Sequence, residues 1–402
     1  MSPDQPIGAE GAAHLVRRTS FGTAPANDVA RLAPLTRAAA VDALLSGLRT
    51  TATTALPPLS TSSMKHIDRQ RVALTPADGE ARKATRMAMQ REGQALKAWW
   101  CNEMVTTTSP LTERLVLMWH GHFTSSLRKV RVPGLMARQN AMLREHAAGS
   151  FRTLLHAVVV DPAMLRYLDG ANNRAAAPNE NFARELFELF TLGIGHYSER
   201  DVTEAARAFT GAAVPSRRRQ HDRGSKTILG ETGAFAGDDV VDVLLRQRAT
   251  AATIVRLYWR TFVTAVDDEG AAAADATVFA GHLDLRRLLR DVLLNDAFWA
   301  PAAREALIKS PVDIVVGTAR LQDVVIDGGA DPDAVAGTPQ WSARALRRLR
   351  QDLFDPPDVR GWPGHTQWVT TATLPQRLIV ARAIADLGTV DVDVDDPRFQ
   401  LL

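Results

Sequence analysis

Residues 178–193 read Pro-Asn-Glu-Asn-Phe-Ala-Arg-Glu-Leu-Phe-Glu-Leu-Phe-Thr-Leu-Gly, the most informative stretch of the chain. In a regular helix, four of its polar side chains share one face, because they recur at i, i+3, i+4 and i+7. These four residues are Asn181, Arg184, Glu185 and Glu188. The phenylalanines and leucines fall on another face, where they can pack against a core. The pattern predicts an amphipathic α-helix with a polar stripe.

The polar stripe has two interpretations. Two carboxylates one turn apart repel each other unless a cation, a proton or an arginine lies between them, so Glu185 and Glu188 can form the wall of a site. Alternatively, Glu180 and Arg184 form the i,i+4 ion pair that many solvated helices carry. Helix geometry alone leaves both interpretations open.

Helical periodicity continues through most of the chain and predicts an all-α fold, a large multi-helix globular protein with long irregular loops. Ser198 and Asp201 form a predicted capping box in front of one helix. The predicted helices include 7–19, 37–48, 76–105, 110–122, 135–146, 151–160, 202–210 and 239–262. The predicted irregular segments are 51–63, 211–238, 266–274, 325–340 and 355–366.

Length and composition indicate an ordinary globular protein, since 46% of the 402 residues are hydrophobic and 23% are charged. We predict a single large helical domain over 1–390, with 1–106 as a candidate N-terminal helical subdomain. Residues 391–402 are predicted to be a poorly ordered tail. The single cysteine, Cys101, excludes an internal disulfide.

The net charge, the first residues and the apolar pattern each exclude a class of function. Forty-eight Lys and Arg residues against 45 Asp and Glu residues give a net charge of +3, too small to indicate a nucleic-acid-binding protein. Residues 1–11 lack the design of a signal peptide, and no apolar run approaches the roughly 18 residues of a membrane span. We therefore expect a soluble, cytoplasmic protein without a membrane span.

A second chemistry-bearing stretch is Trp-His-Gly-His-Phe at 119–123. Histidines at i and i+2 converge only if the helix ends there, and Gly121 favours such an end. His120 and His122 can then bind one divalent metal ion, Zn, Cu, Fe or Mn, joined by Glu185 or Glu188 and by His221. The alternative is one packed histidine and one histidine that caps the helix C-terminus.

A metal-free site is also consistent with these residues. In that version Asp169, Glu180 and Glu185 act as acid and base on a sugar or peptide-like ligand, and Arg184 separates their pKa values. The loop around Asp169 can fold over the polar stripe, or form a turn held by Asx hydrogen bonds. The candidate ligand-binding residues are Asn172, Asn179, Asn181, Lys226 and Trp362.

Several stretches together carry a family resemblance. They lie at 14–18 with 21–22, 119–123, 161–169, 178–193 continuing into 197–202, 226–230, and 355–357 with 361–363. Over nearly its whole length the chain resembles the bacterial domain-of-unknown-function 1800 family. The resemblance implies no established activity. Relatives often carry an export signal and are encoded beside proteins resembling alkaline-phosphatase-type hydrolases, which implies a co-encoded protein partner.

Three hypotheses therefore remain. The first is an enzyme whose site lies between the His-x-His helix end and the Glu-rich helix, with a divalent metal for hydrolytic or oxidative chemistry. The second is the metal-free carboxylate enzyme. The third is a non-catalytic helical partner of a co-encoded protein, in which the polar stripe fixes helix register or binds that partner.

Overall fold

The computed structural model describes residues 4–59, 79–211, 220–264, 269–322 and 339–386. Within these ranges the chain is predominantly helical, and its strands form one two-stranded antiparallel hairpin. The predicted all-α class is confirmed. No helix in the described ranges has both the length and the apolar composition that a membrane crossing requires.

The helices follow one another along the chain with short connections. The first ten are α1 (Gly8–Thr19), α2 (Ala26–Leu32), α3 (Arg37–Ser46), α4 (Gly79–Thr106), α5 (Pro110–His122), α6 (Leu127–Val130), α7 (Pro133–His146), α8 (Phe151–Val159), α9 (Pro162–Tyr167) and α10 (Asn181–Glu185). The other nine are α11 (Glu199–Ala208), α12 (Gly237–Leu245), α13 (Arg248–Phe262), α14 (Glu269–His282), α15 (Leu285–Leu294), α16 (Asp296–Trp299), α17 (Pro311–Leu321), α18 (Pro339–Arg348) and α19 (Thr373–Ala385). The strands are β1 (Lys226–Ile228) and β2 (Glu231–Gly233).

Most helix predictions agree with the structure to within a few residues. Pro110 opens α5 at an early helical position, where its missing N–H costs no hydrogen bond, and the helix ends at His122 as predicted. The capping box before α11 is present: Ser198 accepts from the Asp201 N–H, and the Asp201 carboxylate accepts from the Ser198 N–H at 2.9 Å. Local polar signals therefore located these helix ends.

Three segments differ from the sequence predictions. The hairpin of β1 and β2 lies inside 211–238, which we predicted to be irregular. The predicted helix over 239–262 is two helices, α12 and α13, separated at Arg246 and Gln247. The predicted link 266–274 is helical from Glu269 onward, because α14 packs along α13 and tertiary contact overrides the weak local signal.

The Glu-rich stretch is not one regular helix. α10 ends at Glu185, and the chain continues as a π-helix over Leu186–Thr191. In this turn the Thr191 hydroxyl donates to the carbonyl of Leu186, five residues back, at 2.6 Å. A π-helix places more residues in each turn than an α-helix, so the predicted stripe does not continue in register to Glu188.

Buried contacts connect parts of the chain that are distant in sequence. In α1, His14 Nε2 donates to the Phe298 carbonyl at 2.8 Å, and the His14 ring packs against the Phe298 ring. The buried carboxylate of Glu113 accepts two bonds from Arg144, at 2.6 and 2.8 Å, and one from the Trp100 indole. These contacts are consistent with the single domain, which stays a prediction. The tail predicted at 391–402 lies outside the described residues.

Candidate functional site: an arginine-rich cleft

A cleft of about 1440 Å³ lies between α1, the end of α5, the segment before α17, and residues 359–368. We call it the basic cleft. Three of the stretches singled out in the sequence contribute to its lining. Gly121 and His122 come from the His-x-His helix end, Leu189 from the π-helix, and Trp362 from the Pro-rich segment. The His-x-His helix end and the Glu-rich stretch, between which the sequence predicted a site, therefore both contribute to this lining.

The Pro-rich wall is held against the end of α5. Gly361 has a φ of 89°, and a Cβ added there would overlap the carbonyl oxygen of Gly121. Asp355 anchors the start of this wall, because its carboxylate accepts from the Lys97 ammonium at 2.7 Å and from the Ser126 hydroxyl at 2.8 Å. These contacts fix the position of Trp362.

Positive charge dominates the lining of the basic cleft. Among the described residues, seven lysine and arginine side chains line it against three carboxylates. The cations are Arg17, Arg18, Arg114, Arg260, Arg304, Lys309 and Arg360. The carboxylates are Glu10, Glu305 and Asp313. The chain as a whole is nearly neutral, so this concentration of charge is local.

The seven cations divide into two sets. Arg18 donates to the Ala303 carbonyl, Arg114 pairs with Asp313, and Arg304 pairs with Glu10. The other four form no side-chain hydrogen bond or ion pair with any residue that the structure describes. They are Arg17, Arg260, Lys309 and Arg360. These four keep their hydrogen-bonding capacity for a ligand.

Lys309 is the most deeply placed of the unpaired cations. Its stem packs over Gly22, which has a φ of 70° and whose added Cβ would lie 3.3 Å from Lys309 Cγ. Burial lowers the pKa of Lys309 to about 8; nearby Asp313 opposes this shift, and Arg17 and Arg377 add to it. Asp313 therefore compensates the charge of Lys309 only in part, and Lys309 forms no ion pair with any residue that the structure describes.

His122 lines the basic cleft and has one committed ring nitrogen. Its Nε2 lies 3.0 Å from the Phe190 carbonyl, which accepts a hydrogen bond, so Nε2 carries the proton and Nδ1 the lone pair. Burial lowers its pKa to about 4, the Phe190 bond opposes this, and Arg260 adds to it. At neutral pH the ring is an uncharged acceptor.

His120 lies in a different environment, so the predicted convergence of the two imidazoles does not occur. Its ring is fully buried against Trp100, Phe354 and Trp362, with centroids 5.5 Å away in each case. The helix stays regular up to His122, and side chains at i and i+2 then point to different sides. His120 is therefore a packed histidine, as in the alternative interpretation of the two histidines.

The other predicted metal ligands also have separate partners. Glu188 accepts from the Tyr197 hydroxyl at 3.2 Å, and His221 Nδ1 donates to the Thr210 carbonyl at 2.9 Å. In the part of the chain that the structure describes, no three His, Cys, Asp or Glu side chains are grouped closely enough to hold a metal ion. The structure therefore does not assemble the predicted metal site.

The predicted acid–base residues lie outside the lining of the basic cleft. Arg184 forms ion pairs with Glu180 at 3.1 Å and with Glu199 at 2.7 Å. The Glu180–Arg184 pair is the helical ion pair that was the second interpretation of the polar stripe. Asp169 pairs with Lys129 at 2.8 Å. Glu185 has a raised pKa, because it is partly buried and Glu188 lies near it. We call Glu180, Glu185, Glu188 and Glu199 the acidic surface.

Four predicted ligand-binding residues occupy structural positions or the surface. Asn181 donates to the Leu168 carbonyl at 3.1 Å, and the Asn179 side chain accepts from the Asn181 N–H at 2.9 Å. Lys226 is buried and donates to the carbonyls of residues 222 and 224, so it holds its own loop together. Asn172 is exposed in a short 3₁₀ turn. Of the predicted ligand-binding set, Trp362 alone lines the basic cleft.

The unpaired cations were missed by reasoning from sequence. They are separated by tens to hundreds of residues along the chain, and each one alone resembles an ordinary surface cation. One signal was present: the family-like stretches at 14–22, 119–123, 178–193 and 361–363 all contribute lining residues.

These features define a helical protein with a cationic cleft at the end of the His-x-His helix. The chain belongs to the family described as "Protein of unknown function (DUF1800)", whose model matches residues 14–400. In comparisons with curated proteins and with solved structures, nothing matches the chain. The family expectation from the sequence is confirmed.

Proposed function

We propose that the protein is an enzyme that binds an anionic substrate in the basic cleft and uses His122 as its acid–base group. The observation that carries the proposal is the set of four unpaired cations around one cavity. A concave surface with uncompensated positive charge concentrates anions. Guanidinium groups form strong charge-assisted hydrogen bonds with carboxylate and phosphate oxygens.

His122 supplies a group that can accept a proton. Its Nε2 is held by the Phe190 carbonyl, so Nδ1 is the basic nitrogen. Arg260 helps to keep the pKa of His122 low. A bound anion would offset Arg260 and raise that pKa toward neutrality, where acid–base catalysis is most efficient. The neighbouring cations would stabilise negative charge that develops on the substrate.

As in the metal-free hypothesis, we propose an acid–base enzyme, but different residues form its site. Asp169, Glu180 and Arg184 are engaged in surface ion pairs, whereas His122 and Trp362 line the cavity. The expectation of a sugar or peptide-like ligand becomes the narrower proposal of a ligand that carries an anionic group. The co-encoded protein partner stays a prediction.

Isothermal titration with inorganic phosphate, sulfate and citrate tests the binding step. We expect measurable affinity for one or more of them, reduced roughly tenfold in Arg17→Gln, because one charge-assisted bond is lost. Arg200→Gln, an exposed arginine on α11, is the matched control and should bind as the wild type does. Absence of binding to all three anions would overturn the proposal.

A panel of p-nitrophenyl phosphate, sulfate and succinate esters tests the chemical step. For any ester that is hydrolysed, His122→Gln should lower kcat by at least about a hundredfold and leave anion affinity within a few fold. His156→Gln is the control, because His156 lies at the surface near Asp238 and Asp242. Full turnover in His122→Gln would show that another group does the chemistry.

A further inference from the structure

The rim of the basic cleft beside Lys309 is apolar and open. Leu374 is 37% exposed and Leu378 is 51% exposed, although both line the cavity. They are one helical turn apart on α19, so they share a face. Leu307 and Ile308, which directly precede Lys309, also line the cavity. Large apolar side chains left open beside a cavity mark a surface that a ligand can cover.

A hydrogen bond ties this apolar rim to the unpaired lysine. Arg377 lies between the two leucines in sequence and donates to the Lys309 carbonyl at 2.6 Å. The backbone of Lys309 is therefore held against the turn of α19 that carries Leu374 and Leu378. Lys309, Leu374 and Leu378 line the same cavity, so one molecule in it can contact both the cation and the apolar rim.

The charges around Lys309 require an anion. Asp313 is a carboxylate that acts on Lys309, but it already pairs with Arg114 and accepts from the Ser310 N–H at 2.8 Å. Arg17 adds positive charge near Lys309. One committed carboxylate cannot balance both Lys309 and Arg17, and the burial of Lys309 makes the imbalance costly. An incoming phosphate or carboxylate group would relieve it.

We infer that the substrate of the basic cleft is an amphiphilic anion, with its phosphate or carboxylate head at Lys309 and Arg17 and its hydrocarbon chain along Leu374 and Leu378. This inference rests on the proposed function and adds the substrate class. Neither feature alone specifies this class. The cations select a charged head, and the open leucines select an apolar chain attached to it.

Titration with inorganic phosphate and with butyl, hexyl and octyl phosphate tests the inference. Each additional methylene group that becomes buried should raise affinity by about fourfold. Leu378→Asn should flatten this dependence and leave affinity for inorganic phosphate within twofold. Ile379→Asn is the matched control: Ile379 is 60% exposed on the same helix but does not line the cavity.

The head of the ligand is tested separately. Lys309→Gln should weaken every member of the series, inorganic phosphate included, by roughly tenfold or more and keep the chain-length dependence. Lys83→Gln, an exposed lysine of α4, is the control and should change neither. Sedimentation with phosphatidic acid vesicles distinguishes the sources: binding there indicates a membrane lipid, and binding only to soluble octyl phosphate indicates a free amphiphile.

The outcomes distinguish this inference from the proposed function. If phosphate binds and octyl phosphate binds no more tightly, the amphiphile is wrong and the anionic substrate stands. If no member of the series binds, the amphiphile is wrong, and the anionic substrate fails as well only if sulfate and citrate do not bind. If affinity rises with chain length but Leu378→Asn and Ile379→Asn flatten it equally, the chain lies elsewhere and the inference is overturned.

Discussion

The acidic surface and the basic cleft adjoin the same π-helix but differ in how their charges are compensated. Glu180 and Glu199 share Arg184, and Glu188 accepts from Tyr197. The unpaired cations of the basic cleft form no side-chain hydrogen bond or ion pair with the described residues, although Arg360 lies close enough to Glu185 to oppose the rise in its pKa. A polar pattern in the sequence therefore indicates function only when the fold leaves the charges of its side chains without partners.

The largest expected effect is at Gly361, in the wall of the basic cleft. Gly361→Ala would place a Cβ against the Gly121 carbonyl at a backbone φ of 89°, which L side chains rarely adopt. We expect a loss of about 3 kcal/mol or more in the free energy of unfolding, measured by urea denaturation. Anion affinity should fall with it, because Arg360 and Trp362 flank this glycine.

Gly364→Ala is the matched control for Gly361→Ala. Gly364 lines the same wall, has a φ of −123°, and has open space around the position of a Cβ. Its replacement should change the free energy of unfolding by less than about 0.5 kcal/mol. Equal losses in the two variants would show that the wall is not held at Gly121.

The unpaired lysine gives the next largest effect. Burial lowers the pKa of Lys309 to about 8, below its ordinary value of 10.5. Between pH 8 and 10.5 the unfolded chain therefore binds more protons, so the free energy of unfolding rises with pH in that window. The contribution of Lys309 is at most about 1.4 kcal/mol per pH unit.

Lys309→Gln should remove this contribution, and urea denaturation at several pH values measures it. Relative to the wild type, the variant should be more stable at pH 7, and the difference should shrink as pH rises toward 10.5. A constant difference across the window would mean that Lys309 is solvated or has an anionic partner. In either case Lys309 would not be an uncompensated cation, and it would not differ from the paired residues of the acidic surface.

A third test compares one arginine from each region. Arg260 is exposed in the basic cleft without a partner, whereas Arg184 is paired on the acidic surface. Arg260→Gln should lower the affinity for phosphate about tenfold with little change in stability. Arg184→Gln should leave that affinity unchanged. Equal affinity losses would mean that net charge, and not the cleft, attracts the anion.

Local sequence signals predicted most of the fold. Pro110 and the Ser198 capping box lie within a few residues of the helix starts that they predict. The period of the apolar residues predicted the helices themselves. The π-helix at Leu186–Thr191 has no comparable local signal, because its register depends on packing. The helices were therefore predicted, and the register of the polar stripe was not.

The candidate site could be predicted only in part. His122 and Trp362 lie in short unusual motifs, so they were found. Arg17, Arg260 and Lys309 were missed, because tertiary structure brings them to one cavity and leaves them unpaired. Whether a charge has a partner is a property of the fold. A sequence of nearly neutral net charge gives no sign of it.

The smallest effect is expected at the ion pairs of the acidic surface. Glu180 is 40% exposed in its pair with Arg184, and exposed pairs contribute about 1 kcal/mol or less. Glu180→Gln should lower the free energy of unfolding by less than that, with anion binding and hydrolysis unchanged. A hundredfold loss of turnover in Glu180→Gln would return catalysis to the acidic surface, because so large a loss requires a group that acts on the substrate.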